Sequence, residues 1–108
     1  MHEIDAGIAI TQIVYLQNTF ALDRGNMIWF TIQLEVYDEG SWHPVLRCDT
    51  AHNEAHLDYL DPQGENYRKE WLNATAPYNV IHDQLVQRFR AEYQTHVDRW
   101  YAQKGRIR

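Results

Sequence analysis

The segment Arg47-Cys48-Asp49-Thr50-Ala51-His52-Asn53-Glu54-Ala55-His56-Leu57-Asp58 holds two histidines, an arginine and three carboxylates within twelve residues. Imidazole is the side chain whose ordinary pKa suits both giving and taking a proton near neutrality. Three chemistries fit this composition. In the first, His52 and His56 join Asp49 or Asp58 as ligands for zinc, iron or manganese. A His-x-x-x-His spacing places both rings on one face only in a helix. This segment reads as turn and strand, so neither a metal nor a cofactor is assigned. In the second, His52 and His56 act as general base and acid, with Arg47 and Asp49 beside them. Those are the groups that metal-independent RNA cleavage needs: a base for the 2′-hydroxyl, an acid for the leaving oxygen and a cation for the phosphorane. In the third, the residues are structural. Arg47 pairs with Glu35 or Asp49, Asp49 and Thr50 cap a turn, and the histidines make half-buried hydrogen bonds. The face carrying Gln33, Glu35, Arg47 and Asp58 then serves as a binding surface for a protein or small ligand.

The elements that must position these residues are read from periodicity. Met27 to Tyr37 alternates Ile28, Phe30, Ile32, Leu34 and Val36 with Trp29, Thr31, Gln33, Glu35 and Tyr37, which predicts a strand with the first set facing the core. The exposed Trp29 and Tyr37 are candidates for stacking on bases. Asp38-Glu39-Gly40 predicts a three-residue hairpin loop with Gly40 left-handed. That loop sets Leu34 opposite Pro44, Ile32 opposite Leu46 and Phe30 opposite Cys48 on the core face. It sets Gln33 by Val45, Thr31 by Arg47 and Trp29 by Asp49 on the other. A two-residue loop shifts the register by one and drives Arg47 into the core, a costly place for an unpaired guanidinium. Asp49 to Glu54 reads as a turn. His56 and Asp58, two apart on the next strand, share a face.

Around this hairpin, Ile8 to Leu16 predicts a first strand, Asn18 to Asn26 a turn region, Ala55 to Leu60 a strand, Asp61-Pro62-Gln63-Gly64 a type I turn and Tyr67 to Leu72 a last strand. From Asn79 onward Ile81, Leu85, Phe89, Tyr93 and Val97 recur every four residues, predicting an amphipathic helix of about 25 residues capped by Asn79. The fold class is α+β: an antiparallel meander of about five strands packed against one long C-terminal helix, with residues 1–108 forming one domain. So long a helix overhangs so small a sheet, which predicts a homodimer seated on Trp100 and Tyr101. His2, His43, His82 and His96 read as surface residues. Cys48 reads as a buried apolar residue rather than a nucleophile.

A chain of 108 residues with 44% hydrophobic and 13% aromatic content is globular rather than disordered. It has no run of about 20 apolar residues, so no membrane span is predicted. One cysteine excludes an internal disulfide. The N-terminus lacks a basic start followed by an apolar run, which predicts no secretory leader and a cytoplasmic location. The net charge of −5 argues against non-specific nucleic-acid binding. It is unevenly spread: residues 1–65 carry −9 and residues 66–108 carry +4. The basic half suits either the dipole of a C-terminal helix or contact with RNA or a protein.

Phe30-Thr31-Ile32-Gln33-Leu34-Glu35, Trp42, Pro44-Val45, Asp49-Thr50-Ala51-His52, His56 and Asp58, followed by Tyr78-Asn79 and Asp83, resemble a family of small uncharacterised prokaryotic proteins. The resemblance covers about residues 27–101. In that pattern an aromatic stands in place of Cys48 and Gly in place of Asn53, and Asn is the residue that best tolerates the same left-handed turn. The layout is more loosely similar to TumE-like toxins of toxin–antitoxin pairs. That likeness implies a ribonuclease-type activity on RNA, with His52, His56, Arg47 and Asp49 at its centre, and an antitoxin protein as partner.

Overall fold

The structure, a computed structural model, describes residues 1–50, 55–72 and 75–105. Alternation of branched apolar and polar residues produces seven strands: β1 (His2–Asp5), β2 (Ile8–Ala9), β3 (Val14–Asp23), β4 (Asn26–Asp38), β5 (Ser41–Asp49), β6 (His56–Leu60) and β7 (Asn66–Trp71). They form one antiparallel sheet in the order β1-β3-β4-β5-β6-β7, with β2 also pairing β3. A helix, α1 (Tyr78–Gly105), lies on one face. The α+β meander with its C-terminal helix is therefore as expected, with seven strands rather than five.

The difference lies at the N-terminus. The segment expected as one strand, Ile8 to Leu16, contains β2, a turn in which Ile10 and Thr11 N–H groups donate to the Val14 carbonyl, and the start of β3. β3 runs on to Asp23, so the expected turn region shrinks to Arg24-Gly25. Both residues have positive φ (53° and 81°), the backbone of a tight two-residue hairpin.

The β4–β5 hairpin departs from expectation in its register. Its loop is two residues, Glu39 and Gly40, with φ of 48° and 87°, and Asp38 pairs with Ser41. The pairing slips between Leu34 and Glu35: Glu35 lies opposite Pro44, but Leu34 opposite Leu46. Val45 is the extra residue, and both Val45 and Leu46 are buried. This bulge reverses the phase that a two-residue loop imposes. Arg47 therefore stays out of the core, as expected, but opposite Gln33 instead of Thr31.

A bulge leaves one residue outside the ladder. Here the Val45 carbonyl accepts from Arg99 Nη2 of α1 at 2.9 Å. The same guanidinium donates from Nη1 to the Leu60 carbonyl at 2.6 Å, where β6 and β7 slip in register.

The core includes Val14 and Leu16 of β3, Phe30, Ile32, Leu34 and Val36 of β4, Val45, Leu46 and Cys48 of β5, Leu57 and Tyr59 of β6, and Ile81, Leu85, Phe89, Val97 and Trp100 of α1. Ile28, expected there, is exposed, because the β3–β4 pairing slips past it (Ala21 opposite Trp29, Leu22 opposite Met27) and Met27 packs against the core in its place. Trp100 is only 1% exposed and stacks on His43 and Tyr101. It is buried inside the chain and so is not exposed as a seat for the expected homodimer. The helix starts at Tyr78, with the Pro77 carbonyl accepting the Val80 and Ile81 N–H groups, so Asn79 falls in the first turn rather than at the cap.

His82 and His96 are buried, contrary to the surface reading, because each lies beside the apolar stripe that covers the sheet. His82 Nε2 is 2.7 Å from Asn18 Oδ1, and its ring meets Phe20 and Phe30 edge-on. His96 packs on Tyr59. His43 is half-buried, and His2 alone of the four is exposed. Of the basic residues on the helix, Lys104 reaches carboxylates of the acidic half, whereas Arg88 pairs within its own half. Arg88 forks onto Glu70 (2.8 and 3.0 Å) and reaches Glu92, and Lys104 pairs with Asp38 and Glu39.

Two outcomes follow. Replacing Arg99 with Met leaves two inner carbonyls without a partner and lowers unfolding stability in urea by about 2–4 kcal/mol, with Arg99→Lys recovering part of the loss because one ammonium cannot span both as the fork does. The Arg88 guanidinium holds Glu70 at a pKa of about 2, below its ordinary value. A depressed carboxylate stabilises above its unfolded pKa and loses that contribution as pH falls. Glu70→Gln should therefore be less stable than wild type at pH 7, with the gap closing between about pH 4.5 and 2 in parallel denaturation curves.

Candidate functional site

The register assembles the site. On the sheet face away from α1, two rows of side chains run across the strands. One row is Gln17, Gln33, Arg47, Asp58 and Lys69; the other is Thr19, Thr31, Asp49, His56 and Trp71. None of these ten residues is buried, whereas Ile32, Cys48 and Leu57 between the rows are fully buried on the opposite face. Directly opposed side chains on a sheet have Cβ atoms about 4.5–5.5 Å apart, so each row is a line of contacts. Arg47, Asp49, His56 and Asp58, singled out from the sequence, thus form a square on β5 and β6. Gln33 adjoins it directly and Glu35 is two residues further along β4. His52 lies outside the described residues, as does most of the expected Asp49–Glu54 turn.

The square is tied to its neighbours. Arg47 Nε donates to Gln33 Oε1 at 2.6 Å, and Gln33 Nε2 donates to Glu35 Oε2 at 2.8 Å. The expected Arg47–Glu35 pairing is thus relayed through an amide. The two terminal nitrogens of Arg47 bond no described residue. His56 Nε2 sits 3.3 Å from Asp58 Oδ1, and Asn66 Nδ2 donates to that same oxygen at 2.7 Å. His56 Nδ1 is buried and has no hydrogen-bond partner among the described residues. The His56 ring packs edge-on against Trp71, over which the Lys69 ammonium lies at 5.3 Å.

Thr50 closes the β4–β5 ladder: its Oγ1 accepts from the Phe30 N–H at 3.0 Å, and its own N–H donates to the Phe30 carbonyl. A shallow cleft of about 320 Å³ opens there, lined by Trp29, Phe30, Thr31, Asp49 and Thr50. Trp29 is half-buried in that cleft, and Tyr37 is exposed but packed on Trp42. Among the described residues no group of three His, Cys, Asp or Glu side chains converges as a metal site.

This geometry extends over the span matched by one family model, residues 7–106, described as a domain of unknown function (DUF7718). The chain belongs to that family. No curated protein and no solved structure matches it. No helix of the DUF7718 domain is long and apolar enough to cross a membrane, among the described residues.

Lys69, Trp71, Thr31, Thr19 and Gln17 were not singled out from the sequence. Only a known register brings them beside Arg47 and His56. The one signal available was the alternation Tyr67-Arg68-Lys69-Glu70-Trp71, which puts Lys69 and Trp71 on a common face.

Cys48 sits between the rows but points into the core. Burial is the main cause that pushes its thiol pKa up to about 12. The thiolate is the reactive form. Native protein at pH 8 should leave a disulfide reagent such as DTNB unreacted, and denaturant should release one thiol per chain; a rapid native reaction would contradict the burial.

Proposed function

We propose that the protein is a non-catalytic binding module that takes a protein segment or small ligand on its open sheet face, around Arg47, Gln33, Glu35 and Asp58. The observation that carries this reading is the Arg47–Gln33–Glu35 relay. It holds the guanidinium by Nε and leaves its terminal edge available. Such an edge matches a carboxylate bidentately. Side chains fixed before binding lose less freedom on binding, so their hydrogen bonds contribute more affinity. The face also mixes signs, with Glu35, Asp49 and Asp58 beside Arg47 and Lys69. Mixed charge suits a polypeptide or a zwitterionic ligand better than a polyphosphate chain.

One observation favours the ribonuclease-type toxin reading: the His56–Asp58 contact, with Arg47 opposite Asp58. There, Asp58 would hold the imidazole, Arg47 would meet the charge on the phosphorane, and His56 and His52 would share the base and acid roles; with Nε2 on Asp58 and Nδ1 buried, however, His56 presents no open nitrogen to a 2′-hydroxyl in this geometry. RNA would be the substrate and an antitoxin the partner. The basic residues expected to draw RNA support this less well, since Arg88, Arg99 and Lys104 are engaged with the sheet.

Expression in a bacterial host separates the two. On the binding reading, cells making wild type and cells making His52→Ala/His56→Ala grow alike, and purified protein leaves RNA intact. Wild type also retains a ligand or partner that Arg47→Gln loses at unchanged melting temperature. Growth arrest by wild type, relieved by the double histidine variant, would overturn the binding reading in favour of the toxin.

A further inference from the structure

At the hairpin end of the same open face three aromatic rings meet. Tyr15 and Trp42 have ring centroids 6.1 Å apart at 62°, and Tyr37 and Trp42 5.3 Å apart at 65°. Glu35 lies opposite Tyr15 across the β3–β4 ladder and two residues from Tyr37 on the same face. One of its carboxylate oxygens, Oε2, accepts from Gln33, and the other bonds no described residue. Tyr37 is 42% and Trp42 45% exposed, an unusual outlay of aromatic surface. Tyr15 is fixed from behind: its ring lies so close over Gly7 that a Cβ there would fall 1.7 Å from the Tyr15 hydroxyl.

The chain builds the same combination twice more, and both times a cation fills it. Tyr59 and Tyr67 meet edge-on at 6.5 Å, with Glu70 accepting from the Tyr59 hydroxyl; the Arg68 guanidinium lies 4.6 Å from the Tyr59 ring, and that of Arg99 lies 5.7 and 5.4 Å from the two rings. Trp100 and Tyr101 meet at 5.1 Å, with Asp38 accepting from the Tyr101 hydroxyl and Lys104 over the Trp100 ring at 5.7 Å. Aromatic faces carry negative potential, and a nearby carboxylate deepens it. No Lys or Arg among the described residues lies over Tyr15, Tyr37 or Trp42.

We propose that Tyr15, Tyr37, Trp42 and Glu35 form a receptor for an arginine side chain of a partner protein. The guanidinium lies flat on the exposed face of Trp42, meets the Tyr37 ring at its side and donates to Glu35. Its planar fork uses both the ring faces and a carboxylate, where a lysine ammonium offers only a point charge. The inference rests on the reading of the open face as a binding surface and names the chemistry of one group on that partner. Beside the carboxylate-binding edge of Arg47, it describes a partner segment carrying both an acidic and a basic residue.

The test uses the full chain and three short capped peptides at constant ionic strength: Gly-Arg-Gly, Gly-Lys-Gly and Gly-citrulline-Gly. Binding is read at the Trp42 indole N–H by NMR, with Trp100 as the buried internal control. The arginine peptide should shift the Trp42 signal saturably, the lysine peptide should bind more weakly, and the uncharged citrulline peptide should leave it in place. Glu35→Gln, which removes the charge and keeps the shape, should weaken the arginine peptide about three- to tenfold. No saturable shift, an equal response to citrulline, or unchanged affinity in Glu35→Gln would each overturn the inference. Equal affinity for lysine would overturn the assignment to arginine. The two readings are kept apart by partner capture, which on the binding reading Arg47→Gln abolishes whether or not Trp42 responds to the arginine peptide. Failure at Trp42 with Arg47-dependent capture preserved would sink the arginine receptor alone.

Discussion

Between Leu34 and Glu35 the β4–β5 pairing slips by one residue, and the face taken by Arg47 and Asp49, and through them by His56 and Asp58, follows from that slip. The two-residue Glu39-Gly40 loop by itself would turn Arg47 inward among Ile32, Leu46 and Leu57. The extra residue Val45 reverses the phase, but it leaves a backbone carbonyl facing the helix side without a ladder partner. An unmet inner carbonyl costs on the order of 1–3 kcal/mol. Arg99 removes that cost and, with its other terminal nitrogen, serves Leu60 at the β6–β7 irregularity. The arginine is itself desolvated there, which pushes its pKa down from the ordinary value. The Tyr59 and Tyr67 rings offset part of that penalty through their faces. A helix residue thus stabilises the irregularities that give the opposite face its polar rows.

This coupling also explains why a helix of mixed composition covers the sheet well. Its apolar stripe supplies Ile81, Leu85, Phe89, Val97 and Trp100, and four of its polar members each meet a particular sheet group: His82 with Asn18, Arg88 with Glu70, Arg99 with two carbonyls, Lys104 with Asp38. Inner polar groups with defined partners contribute less through net energy than through specifying one register of helix on sheet.

The legibility of the sequence follows the range of the forces involved. Strand β4 was readable because its alternation depends only on neighbours along the chain, and the face of Arg47 followed from the cost of burying it. The register was not, because a three-residue loop and a two-residue loop with a bulge put Arg47 on the same face while differing by two positions in pairing. Local composition does not distinguish them; the Arg99 hydrogen bond, spanning from the helix to Val45, does. The same blindness applied to His82 and His96. Their positions beside Ile81 and Val97 put them on the buried stripe, but a histidine there reads as surface until Asn18 or Tyr59 is known to face it. Within the site, the pairing of His56 with Asp58 was legible from their spacing, and its placement next to Arg47 and Asp49 required the β5–β6 register.

The open face shows what the sheet does with side chains that the helix does not cover. A sheet face left to water ordinarily carries scattered charges without fixed geometry. Here Gln33 is committed on both sides of its amide, to Arg47 and to Glu35, and Tyr15 is held in place against Gly7. Such constraints remove side-chain freedom, at roughly 1–2 kcal/mol for each long polar side chain held. On the helix side each comparable expense is matched by a partner within the chain, as with Arg88 on Glu70. On the open face the terminal edge of Arg47 and the outer oxygen of Glu35 meet no described residue. On the proposed binding reading, an arrangement that orders its donors and acceptors without closing on itself gains its compensation when a second molecule supplies the complementary charges, an acidic group for Arg47 and a basic one for Glu35.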